Sequence, residues 1–103
     1  MSEEGAEGTV ECNVGPDGRL LVEVSGEFDI SNADDLRVAL EQAAGPPGVV
    51  LDAGALRFID SSGIAVLLQC AARSGAIEVR NAPAVLRRIV EVSGLDGQLR
   101  IVP

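Results

Sequence analysis

Residues 49–72 read VVLDAGALRFIDSSGIAVLLQCAA. Val49-Val50-Leu51 is a short unbroken apolar run, the pattern of a strand covered on both faces. A loop is expected next, then a second extended piece over Leu56–Ile59. Asp60-Ser61-Ser62-Gly63 follows, and after it Ile64–Ala72 is apolar on nearly every side. Its length and the capping residues ahead of it favour a helix, ending near Arg73 and Gly75. A helix apolar all round must be packed on more than one side. Either its own domain supplies all of that cover or a partner supplies part of it.

Towards the C-terminus, Ala76–Arg80 reads as a strand. Pro83 sits in the first turn of a last helix, where its missing N–H costs least. Leu86, Ile89, Val90 and Val92 include a core face, Gly94 suits a left-handed cap, and Leu95 supplies the apolar contact beyond it. Gln98–Val102 is a final strand. Towards the N-terminus, Thr9–Val14 alternates, with Val10, Cys12 and Val14 on one face. Gly15-Pro16-Asp17-Gly18 is a turn signal. Leu20–Ser25 places Leu20, Val22 and Val24 on one face, and the strand ends at Gly26-Glu27-Phe28-Asp29. A helix begins at Ser31, where Ser31-x-x-Asp34 resembles a capping box. Ala33, Leu36, Leu40 and Ala43/Ala44 follow at helical spacing, and Gly45-Pro46-Pro47 stops the helix. Residues 1–8 read as a loose acidic tail and 9–103 as one domain. The order is ββαβαβαβ: an α/β fold with a mixed, mostly parallel sheet and helices packed on it. The Asp60–Gly63 loop then lies at the carboxyl edge of the strands, where open α/β sheets place their sites.

Composition narrows the chemistry. The chain has 103 residues, is 47% hydrophobic and 23% charged, and carries a net charge of −8. It has no His, which excludes Ser-His-Asp and Cys-His catalysis and imidazole metal ligation. Every basic residue is Arg, so Schiff-base chemistry and a P-loop lysine are absent too. Phe28 and Phe58 are the only aromatic residues. With so few stacking groups and a net negative charge, nucleic acid is not an expected partner. Residues 1–60 hold thirteen acids against three arginines, whereas 61–103 hold three against five. This is either an acidic tail plus solubility charge or an acidic surface that steers a basic protein partner. Cys12 and Cys70 stand alone and are expected as free, buried thiols. No apolar run approaches the roughly 20 residues of a membrane span. The acidic start is unlike a secretory signal, so the expected location is the cytoplasm, with no insertion into the membrane. No metal or cofactor is expected.

A Ser or Asp before a helix commonly caps it, which explains one of the three polar residues at 60–62. A hydroxyl at a helix N-terminus is also a good phosphorylation site, because the helix end stabilises the added charge. A nucleophilic serine is the rival chemistry, but the surroundings are not G-x-S-x-G and the chain offers neither His nor Lys as base. Nucleotide binding lacks a Gly-rich phosphate loop.

FIDSSGIAVLL (58–68) resembles the signature of STAS domains, specifically bacterial anti-sigma factor antagonists. Gly26-Glu27-Phe28-Asp29 resembles the G-E-(Leu/Phe)-D that ends the family's early strand. The run from Asn81 through Ser93-Gly94-Leu95 resembles its N-x-P…SGL segment. Family members often have Leu-Gly where Ile64-Ala65 stand here. The resemblance implies a STAS-like fold and a non-enzymatic protein. It implies that the unphosphorylated antagonist binds an anti-sigma factor that is also a serine kinase, freeing the sigma factor. The kinase then phosphorylates the serine after the motif Asp, here Ser61, and a serine phosphatase resets it. Asp29, Ser31, Asn32, Asp60, Ser61, Ser62, Gly63 and Ile64 are the implied partner-binding residues. For Asp29, Ser31, Asn32, Asp60 and Ser62, turn formation or capping is the competing explanation. The alternative is a scaffold, or a subunit of a stress-signalling or lipid-transport complex, without a switch.

Overall fold

The structure is a computed structural model that describes residues 7–42 and 48–103. Most of the predicted tail and the predicted helix stop at Ala43/Ala44 and Gly45-Pro46-Pro47 lie outside the described residues.

The GPDG turn joins β1 (Gly8–Val14) to β2 (Leu20–Phe28) as an antiparallel hairpin. The Gly15 N–H donates to the Arg19 carbonyl at 2.8 Å and the Gly18 N–H to the Gly15 carbonyl at 3.0 Å. Gly18 has φ +86°, a conformation that suits only glycine well. β2 ends at Phe28, within the expected Gly26-Glu27-Phe28-Asp29 stretch. Val22, Val24 and Phe28 all point inward, so its period-2 pattern never breaks. α1 (Ala33–Leu40) follows, then β3 (Val49–Ile59), α2 (Ser61–Ser74), β4 (Ile77–Arg80), α3 (Ala84–Ser93) and β5 (Leu99–Ile101). Among the described residues these five strands form one mixed sheet, ordered β1-β2-β3-β4-β5, with every pair after the hairpin parallel.

The expected loop after Leu51 is strand. Between Glu23 and Ser25 of β2, β3 advances from Asp52 to Ala55, and between Gly26 and Glu27 it advances from Leu56 to Phe58. Each step adds one residue to β3, as a β-bulge does. The bulges convert period 2 into period 3, so Ala53, Leu56 and Ile59 face inward. Asp52 and Gly54 look like loop residues in sequence. In the strand, the Asp52 carboxylate accepts the Gly54 N–H at 3.0 Å and the Asn81 side-chain amide at 3.2 Å.

Each crossover steps the same way along the sheet, so right-handed connections put all three helices on one face. Val22, Leu51 and Val79, in lateral register, form one core with Leu36 and Leu40 of α1, Leu67 and Cys70 of α2, and Leu86 and Val90 of α3. α2 is thus apolar all round because the sheet and α1 both cover it. Ser61, Ala65, Gln69 and Ala72 mark its exposed side. The expected core faces need trimming at their ends. Val14 and Val92 are exposed, and Cys12 is half-buried, where burial pushes its thiol pKa up. Pro83 is the N-cap of α3 and not a residue of its first turn. Gly94 adopts φ +68°, and the Leu95 N–H donates to the Val90 carbonyl at 3.0 Å, closing the helix as predicted.

The opposite sheet face carries no helix among the described residues. Val50 is nevertheless buried there, beside Arg19 and Arg80. Arg19 donates to Asp17 at 2.7 Å and to Glu78 at 2.9 Å, tying the hairpin to β4. The Arg19 backbone N–H, which donates to Asp17 at 3.0 Å, and then the Arg19 side chain hold Asp17 below the usual carboxylate range, and the Arg19 and Arg80 side chains do the same for Glu78. Their depressed pKa values stabilise the fold above the ordinary carboxylate range of about 4, and that contribution is lost as pH falls through the folded-state values. Arg19→Gln should therefore lower the urea midpoint at pH 7, with the gap to wild type closing below about pH 4. An unchanged gap would assign Arg19 a packing role only.

Candidate functional site

Phe28 and Ile59 end neighbouring parallel strands in register, and the Asp60 N–H donates to the Phe28 carbonyl at 3.1 Å. The β2–α1 and β3–α2 loops therefore lie side by side at the carboxyl edge of the sheet. The residues implied as a site come from these two loops.

Asp60 caps α2. Its Oδ1 accepts the Ser62 N–H at 2.8 Å and the Gly63 N–H at 3.4 Å, and its carbonyl accepts the first helical bond, from Ile64, at 3.0 Å. Asp60→Ala should cost about 0.5–2 kcal/mol of unfolding free energy, with Asp60→Asn recovering most of it, read by urea denaturation. Ser61 is exposed, and among the described residues no hydrogen bond engages its hydroxyl. Ser62 is half-buried.

Gly63 and Ile64 turn the other way. A Cβ at Gly63 would lie 2.6 Å from Cγ1 of Ile59, so the close approach permitted there is internal to the fold. Ile64 is only 7% exposed and belongs to the core. Neither residue presents a side chain to a partner, because the inward face of α2 begins with them.

On the facing loop, one Asp29 oxygen accepts both the Ser31 N–H at 2.8 Å and the Ser31 hydroxyl at 2.6 Å. Those two bonds, the hydroxyl's first, hold the Asp29 carboxyl below its ordinary pKa. Ser31 is thus a turn residue and not the cap of α1. Asn32 holds the N-cap position, but its side chain makes no capping bond. Its Oδ1 accepts the Asp29 N–H at 3.0 Å and its Nδ2 donates to the Glu27 carbonyl at 2.9 Å. Buried Asn32 thereby staples the start of α1 to the end of β2. Asp29, Asp60 and Ser61 share an accessible edge, with Ser31 exposed beside Asp29.

Two residues at this edge escaped the sequence reading. Ile30 is 84% exposed and Phe58 45% exposed. A signal for Phe58 exists: two successive large apolar residues, Phe58 and Ile59, cannot both face one side of a strand. A depression of about 480 Å³ lies elsewhere, on the uncovered sheet face between Glu11, Glu23 and Asp52. Among the described residues, no cluster of three or more Cys, Asp or Glu is arranged to hold a metal ion, and no helix is long and apolar enough to cross a membrane.

The family model described as Mlab, STAS domain matches residues 14–103. The chain belongs to the STAS domain family. An anti-sigma factor antagonist from Mycobacterium paratuberculosis matches this STAS domain with a TM-score of 0.82 and 28% identity, over 94% of this chain and 86% of that one. SpoIIAA, an anti-sigma factor antagonist in its unphosphorylated form, matches at TM-score 0.65 and 18% identity, over 92% of this chain and 89% of that one. A STAS-domain antisigma-factor antagonist from Rhodobacter sphaeroides matches at TM-score 0.54 and 22% identity, over 76% of this chain and 94% of that one. At those lower identities the last two share the fold with this STAS domain.

Proposed function

We propose that this STAS domain is an anti-sigma factor antagonist, switched off by phosphorylation at Ser61. Unmodified, it binds an anti-sigma factor that is also a serine kinase and so frees the sigma factor. Phosphate at Ser61 ends that binding, and a serine phosphatase restores it. Residues 9–103 form the switching domain in this reading, and 1–8 an acidic tail.

The observation that carries the proposal is the contrast between Ser61, exposed with an unengaged hydroxyl, and its half-buried neighbour Ser62. Asp60 already occupies the N–H groups of Ser62 and Gly63. A phosphate on Ser61 therefore gains little from its own helix and projects towards whatever faces the edge. It adds about −1.5 to −2 charges beside Asp60 and Asp29. Asp60 orients the backbone at Ser61, and Asp29, Ser31 and Ser62 shape the contact edge. The switch works through the surface a partner meets, with no change of fold.

Phosphosite mapping tests this. The purified chain is incubated with ATP and soluble extract of the source organism, then digested for mass spectrometry. Phosphate is expected on Ser61, absent from Ser61→Ala and retained in Ser62→Ala. Modification at Ser62 alone would overturn the assignment to Ser61, and none at all would favour the non-switching scaffold.

A further inference from the structure

Among the described residues, the large apolar side chains left exposed are Val14, Ile30, Val38, Phe58 and Val92. Single exposed apolar residues are ordinary. Ile30 and Phe58 are distinguished by their position. Ile30 stands two residues beyond Phe28, and Phe58 one residue before Ile59, so both flank the strand pair from which the Ser61 loop departs. The fold does not need either of them to be apolar. Ile30 is 84% exposed in a turn held by Asp29, Ser31 and Asn32. Ile59 already fills the inward position at the end of β3. The second bulge of β3 puts Phe58 opposite Glu27 and turns it outward. Bulges beside functional sites commonly re-aim a side chain in this way.

The rim around the pair is acidic. Asp29 precedes Ile30 and Asp60 follows Ile59, whereas the charge of Glu27, opposite Phe58, is offset by an arginine. The one arginine in this stretch of β3, Arg57, is paired with Glu27 at 3.6 Å. A complementary surface therefore offers an apolar depression edged by basic groups.

We infer that Ile30 and Phe58 are the apolar anchors that hold the protein reading Ser61, whose docking surface is an apolar depression with a basic rim. This rests on the switch reading above. The anchors supply the contact that excludes water, and Ser61, the first residue of α2, follows Phe58 by three positions at the same strand end. A phosphate there enters a desolvated contact, where an unpaired charge is most costly.

The test uses as its probe the purified protein that a Ser61→Ala chain retains and a Ser61→Asp chain releases. Ile30→Ser and Phe58→Ser should each weaken its binding at least tenfold. Val92→Ser, at the opposite end of the molecule, should stay within twofold, and thermal unfolding should confirm that all three fold. p-Benzoylphenylalanine at position 30 should cross-link to the probe, and at position 92 should not. If both serine variants bind within twofold of wild type while Ser61→Asp still releases the probe, the anchors are wrong and the switch stands. If no protein distinguishes Ser61→Ala from Ser61→Asp, the switch reading fails and the anchors with it.

Discussion

Ser61→Asp is expected to fold like the wild type and to bind its anti-sigma partner at least about 100-fold more weakly, whereas Ser61→Ala keeps full affinity. The two halves of that expectation have separate causes. Ser61 is exposed and its hydroxyl bonds to none of the described residues, so the fold loses little when it is replaced. Asp60 already takes the Ser62 and Gly63 N–H groups, so a carboxylate at 61 adds little to the helix and the thermal midpoint should be nearly unchanged. The partner meets the opposite situation. Asp29 and Asp60 already make this edge negative, and a further charge must be desolvated against a surface suited to a neutral hydroxyl. Leaving a buried charge unpaired at an interface costs about 2–5 kcal/mol, which spans the predicted loss. Titration calorimetry and a thermal melt on the same samples separate the effects. A lower midpoint accompanying weaker binding would mean that Asp acts by damaging the fold.

Phe28→Ala should remove about 3–5 kcal/mol of stability, whereas Phe58→Ala should cost about 1 kcal/mol or less. Phe28 is fully buried at the end of β2. Its ring fills the space beside Gly8, where a Cβ would come within 2.8 Å of it, and its Cβ lies 3.5 Å from where one at Gly63 would stand. Removing it hollows out the support beneath both loops of the site. Domains of this kind hold about 5–15 kcal/mol in all, so the expected loss is a large share. Urea unfolding at neutral pH measures both variants. Equal losses would show that Phe58 packs into the fold as firmly as Phe28.

The two phenylalanines also show where sequence is readable and where it is not. Local chemistry set the hairpin at Gly15–Gly18, the cap at Asp60 and the left-handed stop at Gly94, and each is legible because a few adjacent residues decide it. The order of strands and helices was legible for the same reason. β3 was misread because Asp52 and Gly54 carry the signature of a loop, while the bulges that keep them in the strand depend on pairing with β2. Ser31 looked like the cap of α1, yet Asp29 captures its hydroxyl, and a choice between two nearby acceptors has no sequence signature. Ser61 and Asp60 could be placed at the edge from the βα pattern alone. The inward turn of Gly63 and Ile64 could not, since it depends on the phase of α2 against Ile59. Ile30 and Phe58 were missed because apolar residues are read first as core.

On the proposed reading this protein displaces a sigma factor from its anti-sigma factor, and charge at Ser61 prevents it. The most direct measurement is a release assay. A labelled sigma factor is bound to the anti-sigma factor that the unmodified chain captures, and free sigma factor is followed as chain is added. The unmodified chain should release it in proportion to the amount added, and the same chain stoichiometrically phosphorylated at Ser61 should release none over that range. Equal release by both forms, or by neither, would contradict the account.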